Sequence, residues 1–189
     1  VPSEVVDVVV SVLARLIFDF AVWSADSRDH AAPLLLICEE AHRYVPRDDS
    51  LHFGPSKKAI SRIAKEGRKY GVGLCLVSQR PSEISTLALS QCNTIIALRM
   101  STVRDQEFVA NVLPESAGGL LGALPSLGQQ EAIIAGDGVS IAMRMRFDDL
   151  AADRRPASDT AAFSRAWQAD SASAFYVEQA VERWRQQKP

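Results

Sequence analysis

Two adjacent carboxylates, Glu39 and Glu40, directly follow the apolar run Leu-Leu-Leu-Ile-Cys at residues 34–38. A short apolar run bounded by polar residues is typical of a strand buried on both faces of a parallel sheet. In open α/β folds ligands bind beyond the carboxyl ends of such strands. There, one carboxylate can hold Mg²⁺ through its water shell, and the next can orient or deprotonate an attacking water. The alternative is an ordinary strand followed by a helix whose first turn is acidic.

A second apolar run, residues 72–77, ends in the polar sequence Ser78-Gln79-Arg80-Pro81. Gln79 is the candidate here for a residue that senses the terminal phosphate of a nucleotide. An uncharged amide can hydrogen-bond both to a phosphate oxygen and to a water molecule. The alternative is a glutamine that solvates the turn before the proline.

The segment between these two strands is predicted to be an amphipathic helix over residues 55–70 and is strongly basic. Its six basic residues, against one acid, are Lys57, Lys58, Arg62, Lys65, Arg68 and Lys69. Such a face is commonly solvated surface. A sharper hypothesis is that one arginine enters the nucleotide site of a neighbouring subunit. Arg68, at the carboxyl end of the helix, is the first candidate and Arg62 the second.

The remaining pattern places these residues in an α/β chain. Strands are predicted at residues 34–38, 72–77 and 94–98, and a β-hairpin at residues 131–135 and 139–147, around Gly136-Asp137-Gly138. Helices are predicted at residues 1–26, 55–70, 87–91, 101–112 and 114–121. Strands that alternate with helices indicate a mostly parallel sheet flanked by helices. The predicted organisation is a domain over residues 1–148, a linker over 149–160 and a helical tail over 161–189.

Composition narrows the class of protein. The chain has 189 residues, 47% of them hydrophobic, which is enough for one domain with a substantial core. Its formal net charge of −2 gives no sign of a basic nucleic-acid coat or tail. No apolar run reaches the roughly 18 to 20 residues that a membrane span needs. Cys38, Cys75 and Cys92 lack the short spacing of a zinc or disulfide motif and are expected to be reduced, packed thiols of a cytoplasmic protein.

Several blocks together resemble the HerA/FtsK family of motor ATPases, whose fold is the RecA-like P-loop NTPase core. The blocks are Leu-Ile-Cys-Glu-Glu-Ala-His at 36–42, Ile-Ala-Lys-Glu-Gly-Arg-Lys-Tyr-Gly-Val at 63–72, Ser-Gln-Arg-Pro-Ser-Glu at 78–83, Leu-Pro-Ser-Leu-Gly at 124–128 and Gly-Asp-Gly at 136–138. Their order over residues 1–148 makes chance agreement improbable. The resemblance implies a cytoplasmic homo-hexamer that uses ATP and Mg²⁺ to move double-stranded DNA through a central pore, with a nuclease as a partner.

The resemblance also implies roles for single residues. Glu39 matches the Mg²⁺-associated acid, Glu40 the catalytic glutamate, Gln79 the sensor and Arg68 the arginine that acts in trans. Glu39 stands where most P-loop proteins have Asp. Nothing in the chain matches the phosphate-binding loop G-x-x-x-x-G-K-[ST]. The expectation is therefore that a longer protein supplies this loop upstream, and that the chain alone does not turn over ATP.

Other hypotheses stay open from the sequence. Arg154 and Arg155 are candidates to reach the nucleotide of an adjacent subunit, although they also suit a surface linker. The chain could instead be a non-catalytic member of a ring, or a conjugation or packaging ATPase of the same superfamily. A metal-dependent hydrolase that uses Glu39, Glu40 and His42 is a further alternative, in which three neighbouring side chains would have to converge on one metal.

Overall fold

Apolar runs and turn-forming residues alternate along the chain, and the computed structural model folds them into alternating helices and strands. It describes residues 2–24, 33–48, 54–114, 117–155, 168 and 174–186. The helices are α1 (Ser3–Ser24), α2 (Gly54–Glu66), α3 (Thr86–Leu89), α4 (Val103–Val112), α5 (Gly118–Leu121) and α6 (Ala174–Arg185). The strands are β1 (Leu34–Cys38), β2 (Val72–Leu76), β3 (Thr94–Ala97), β4 (Glu131–Gly136) and β5 (Met143–Arg146). The predicted α/β class is confirmed.

The first two strands form a parallel pair with Leu34 opposite Val72 and Cys38 opposite Leu76. Side chains alternate between the two faces of a strand, and one face of this pair packs against α1 and α2. On the other face Leu35 and Ile37 remain 65% and 55% exposed. The prediction that β1 is buried on both faces is therefore wrong for the described residues, because helices cover only one side of the pair.

The core between these helices and the parallel pair is built around Phe18, which is 2% exposed. Its ring meets that of Tyr70 edge-on, with the centroids 5.4 Å apart. A second connection is polar: the buried carboxylate of Asp7 on α1 accepts the backbone N–H of Ser56 at 3.1 Å. Carboxylates near the first turn of a helix satisfy its free N–H groups and interact favourably with its dipole. Asp7 thus fixes the amino end of α2, which determines where the basic helix lies.

A close approach of backbone to backbone explains the glycine that follows α2. The helix continues as a 3₁₀ turn over Gly67–Tyr70 before β2 begins. A Cβ atom on Gly67 would lie 2.6 Å from the carbonyl oxygen of Val72. The helix end can therefore pack against the start of β2 only when residue 67 has no side chain.

The other three strands form an antiparallel sheet in the order β3-β4-β5. The predicted β-hairpin is confirmed as β4 and β5. At the end of β4 the backbone of Gly136 has φ +114°, and a Cβ atom there would lie 2.0 Å from the carbonyl oxygen of Asn93. Asp137 next to it bonds to Asn93 through both its backbone N–H and its carboxylate, each at 2.8 Å. The Gly-Asp-Gly motif therefore joins the end of β4 to Asn93, the residue before β3, by hydrogen bonds.

The pairing of the described strands differs from the predicted, mostly parallel sheet. Among the strands in the described part of the chain, one pair is parallel and two pairs are antiparallel, so the sheet is not mostly parallel there. The reason is the hairpin: a tight β4–β5 connection forces antiparallel pairing, and β3 joins that hairpin rather than β2.

The chain divides into two compact units, Val1–Asp148 and Asp149–Pro189. All the elements from α1 to β5 belong to the first unit, and α6 belongs to the second. The predicted linker and tail fall largely on residues outside the described ranges, and their boundaries stay a prediction. Within the described ranges, no helix is both long and apolar enough to span a membrane.

Candidate functional site

The candidate site begins where the two parallel strands end. The backbone pairing continues past both strands, because the N–H of Val77 bonds to the carbonyl of Cys38 and the N–H of Ala41 bonds to the carbonyl of Val77, each at 2.9 Å. Parallel strands end at the same edge of a sheet. The segments after β1 and β2 therefore run side by side, which brings the predicted acids next to the predicted sensor.

Glu40 has an unusual backbone for a residue with a side chain. It has φ 51° and ψ 45°, in the left-handed region, at the residue before a 3₁₀ turn over Ala41–Arg43. Ala41 and Val45 just beyond it are fully buried. These apolar residues hold the turn in place, so that the chain leaves β1 sharply and presents the side chain of Glu40 at the sheet edge. Strained backbone that the surroundings enforce is concentrated at functional sites.

The predicted catalytic glutamate and the predicted sensor are in direct contact. The side-chain amide of Gln79 donates a hydrogen bond to Oε1 of Glu40, with a donor–acceptor distance of 3.0 Å. The two residues are 39 positions apart in the sequence, so the contact depends on the pairing of β1 with β2. Glu40 keeps 38% of its side chain exposed, which leaves the carboxylate accessible to a ligand or a water molecule.

Two further side chains, His42 and Ser78, join this contact, and the sequence predicts no role for either of them beside Gln79. Nδ1 of His42 lies 2.9 Å from Oγ of Ser78 and 3.4 Å from Oε2 of Glu40. The signal was available in part, because Ser78 opens the polar run after β2 and His42 follows Glu40 by two residues. A Ser–His–acid triad needs the hydroxyl and the carboxylate on opposite ring nitrogens. Both meet Nδ1 here, so these residues do not form a triad.

Glu39 takes no part in the contacts of this cluster. It is exposed and has no hydrogen bond or ion pair among the described residues. Mg²⁺ sites commonly use one or two carboxylates and complete their coordination with waters and substrate phosphates. A free carboxylate at the strand end fits that kind of site. In the described ranges no three His, Cys, Asp or Glu side chains are grouped as ligands, so Glu39, Glu40 and His42 do not form the metal centre of the hydrolase alternative.

The two candidate arginines lie apart from the acids. Arg68 is exposed on the 3₁₀ turn that precedes β2, whereas Glu40 and Gln79 follow the strand ends. At about 3.3 Å per residue, the length of β2 separates the two edges of the sheet. Arg62 is occupied within its own chain: its guanidinium lies 4.2 Å from the centroid of the Phe18 ring and about 4 Å from carboxylates of Asp19 and Glu66.

The remaining predicted site residues belong to the second unit. Arg154 ends a 3₁₀ turn over Ala152–Arg154, and Nε of Arg155 donates to the carbonyl of Leu150 at 2.8 Å. Their predicted contact with a nucleotide stays a prediction.

The three cysteines are free thiols. Burial raises the pKa of Cys38, at the end of β1, and that of Cys92. A raised pKa keeps these thiols neutral, so they act as packing groups rather than as nucleophiles.

Comparison with solved structures defines the fold. The DNA-packaging ATPase B204 from Sulfolobus Turreted Icosahedral Virus superposes with a TM-score of 0.56 over 73% of this chain and 62% of that one, at 17% identity. B204 from Sulfolobus turreted icosahedral virus 2, in complex with ATP-gammaS, gives a TM-score of 0.51 over 64% and 54%, at 16% identity. At such identities the likeness concerns the fold, and the fold is that of P-loop packaging ATPases.

The sequence comparison is more specific. The chain is 37% identical over 148 residues to the probable helicase MJ1565 of Methanocaldococcus jannaschii, covering 77% of this chain and 28% of that protein. It is 40% identical over 116 residues to the DNA double-strand break repair helicase HerA of Pyrococcus furiosus, covering 61% and 20%. HerA of Saccharolobus solfataricus is 33% identical over 77% of this chain and 29% of its own length. No protein-family model matches. The chain is thus similar in sequence to HerA-type helicases and spans less than a third of the length of these three.

The left-handed backbone at Glu40 yields a stability prediction. Replacing Glu40 by Ala or by Gly removes the same side-chain contacts, so the difference between the two variants reports the backbone alone. We expect Glu40→Gly to be more stable than Glu40→Ala by roughly 1 kcal/mol, because a left-handed conformation costs a residue with a Cβ more than glycine loses in chain entropy. Urea unfolding of the chain measures this difference.

The matched control is Glu107, an exposed residue inside α4. There the order should reverse, with Glu107→Ala more stable than Glu107→Gly by about 1 kcal/mol, as is usual in helices. If the Ala variant were the more stable one at residue 40 as well, the backbone of Glu40 would not be held in the left-handed region.

Proposed function

We propose that this chain supplies the hydrolysis residues of an ATP-driven motor of the HerA type that moves along double-stranded DNA. The observation that carries the proposal is the hydrogen bond between Gln79 and Glu40 at the shared edge of two parallel strands. A carboxylate and an uncharged amide held together at this edge suit the positioning of a water against a terminal phosphate.

Each residue then has a separate task. Glu40 is the base that orients and deprotonates the attacking water, and its exposed fraction gives a water access to it. Gln79 senses the terminal phosphate through its amide, which can donate to phosphate oxygen and accept from water. Glu39, which has no partner among the described residues, is the acid available for Mg²⁺. That ion, when bound, neutralises charge on the phosphates.

The phosphate-binding loop is proposed to come from outside these 189 residues, since no G-x-x-x-x-G-K-[ST] sequence occurs among them. The greater length of the relatives supports this, because the chain covers only 20% to 29% of the three compared here. We call a protein that contains this sequence together with such a loop the P-loop-bearing protein. The chain alone is proposed to be inactive.

Arg68 is proposed to act on a neighbouring subunit rather than on its own. It lies at the edge of the sheet opposite Glu40, so it cannot complete the site of its own subunit without crossing the sheet. It is exposed and has no ion pair among the described residues. Arg62 is less suited to this role, since Phe18, Asp19 and Glu66 already hold its guanidinium.

Double-stranded DNA as the substrate, a homo-hexameric ring, a nuclease partner and a cytoplasmic location are parts of the same proposal. The names of the relatives, which include DNA double-strand break repair helicases, support DNA as the substrate. The ring, the nuclease partner and the location rest on the resemblance in sequence. Arg154 and Arg155 are proposed to contact the nucleotide across the ring interface.

Two other functions remain as competitors. A packaging ATPase shares the fold, but the packaging enzymes are 16% to 17% identical whereas the helicases compared here reach 33% to 40%. A non-catalytic ring module would keep the fold without using its acids. The close contact of Glu40 with Gln79 favours a working site.

A conservative substitution tests the role of Glu40. In the P-loop-bearing protein we expect Glu40→Gln to lower kcat for ATP hydrolysis by about 10² to 10⁴, the usual contribution of a positioned base. Nucleotide binding should persist, since the amide retains the shape of the side chain. Steady-state kinetics and nucleotide titration measure the two quantities.

Gln79→Ala should also reduce kcat, while Gln129→Ala, which alters an exposed glutamine before β4, serves as the matched control. If Glu40→Gln and Gln79→Ala both kept the wild-type kcat for ATP hydrolysis, the proposal would be contradicted and a non-catalytic ring module supported.

Subunit mixing tests whether Arg68 acts in trans. Arg68→Ala alone should lower kcat by about 10³ or more, the range for an arginine finger. Mixing Arg68→Ala subunits with Glu40→Gln subunits should restore part of the activity, because some interfaces then combine an intact Glu40 with an intact Arg68 of the neighbour.

If Arg68 acted within its own subunit, no mixture of these two variants could contain a complete site, and activity would stay absent. Lys69→Ala, which removes the adjacent exposed charge, is the control and should retain wild-type hydrolysis.

A further inference from the structure

The carboxylate of Glu40 is held at both oxygens by residues that the hydrolysis proposal does not fully use. Gln79 donates to Oε1 at 3.0 Å, and Nδ1 of His42 lies 3.4 Å from Oε2. The imidazole has its own anchor, since the same Nδ1 lies 2.9 Å from Oγ of Ser78. Both Ser78 and Gln79 follow β2, so one strand end controls the carboxylate directly and through His42.

The position of the proton within this cluster follows from the available donors and acceptors. A carboxylate only accepts hydrogen bonds, so a lone pair on Nδ1 would face Oε2 of Glu40 unfavourably. Oγ of Ser78 already accepts the backbone N–H of Arg80 at 3.0 Å and has one further lone pair to offer. A proton on Nδ1 satisfies both neighbours, because the N–H group donates to Ser78 and places its partial positive charge beside Glu40.

We infer that His42 is a positioning residue for Glu40, and that it acts through a proton on Nδ1 while Ser78 fixes its ring. The inference rests on the proposed function, in which Glu40 is the base. An ionised carboxylate has about four lone-pair directions. Gln79 occupies one of them on Oε1, and the Nδ1–H group of His42 beside Oε2 attracts that oxygen. Together they fix the plane of the carboxylate and leave lone pairs free for the attacking water.

The burial of His42 fits a positioning role better than direct catalysis. Its side chain is 16% exposed, against 38% for that of Glu40, so the carboxylate is the more accessible of the two groups. The turn over Ala41–Arg43 that carries His42 is fixed by the buried Ala41. The ring is thus held on a short, anchored segment next to the group it orients.

Two substitutions separate the ring nitrogens in an activity test. The side-chain amide of Asn occupies roughly the position of Nδ1, and that of Gln roughly the position of Nε2. In the P-loop-bearing protein we expect His42→Ala and His42→Gln to lower kcat by about 10- to 100-fold, as for residues that orient the ligands of a metal site. His42→Asn should recover most of the loss, while KM for ATP and the melting temperature stay unchanged in all three.

Suppose that Glu40→Gln has the expected low kcat. Equal kcat for His42→Asn and His42→Gln, or a wild-type kcat for His42→Ala, would then overturn the inference. Wild-type hydrolysis by Glu40→Gln would instead overturn the proposed function, and this inference with it. The two failures are therefore distinguishable within one set of variants.

A spectroscopic measurement on the 189-residue chain gives an independent readout. In ¹⁵N-labelled protein with a neutral imidazole, the His42 resonances, assigned by their loss in His42→Asn, should show a protonated Nδ1 and an unprotonated Nε2. Ser78→Ala and Glu40→Gln should each shift them. A proton on Nε2, or resonances that ignore both substitutions, would contradict the inference even if the activity of the variants falls.

Discussion

The site depends on the parallel pairing of β1 with β2. That ladder sets Cys38 opposite Leu76 and continues through the hydrogen bond from Val77 to Cys38, so two segments distant in sequence leave the sheet together. A slip of one residue would turn every side chain to the other face. The buried contacts of β1 and β2 with α1 and α2 oppose such a slip, and in this way the hydrophobic core specifies which polar residues meet at the edge.

The close packing after α2 and the strained backbone after β1 serve the same arrangement. Gly67 lets the helix end approach the start of β2, and Asp7 fixes the other end of the helix. At the opposite edge the buried Ala41 holds Glu40 in a left-handed conformation. Apolar packing on one side of the strands therefore stabilises an unfavourable backbone conformation at their ends. That conformation places the charged side chain of Glu40 at the edge of the sheet.

Much of this could be read from the sequence, because its signals are local. Apolar runs identified the strands, helical spacing identified α2, and motif order indicated the family. The pairing of Glu40 with Gln79 was also predictable, since parallel strands end at one edge. The contacts of His42 were not, because they depend on a left-handed residue before the turn, and no pattern in the sequence indicates that conformation. The burial of Leu35 and Ile37 was overestimated for a related reason. Apolar character shows that a face of a strand can be covered, but not whether another described element of this chain covers it.

As proposed above, this chain carries the hydrolysis residues of a DNA motor but not its phosphate-binding loop. The most direct measurement compares ATP hydrolysis by the P-loop-bearing protein, with and without duplex DNA, with hydrolysis by the 189-residue chain. The account predicts DNA-stimulated turnover by the former and none by the latter. Turnover by the chain alone, or a P-loop-bearing protein that hydrolyses no ATP with DNA present, would contradict it.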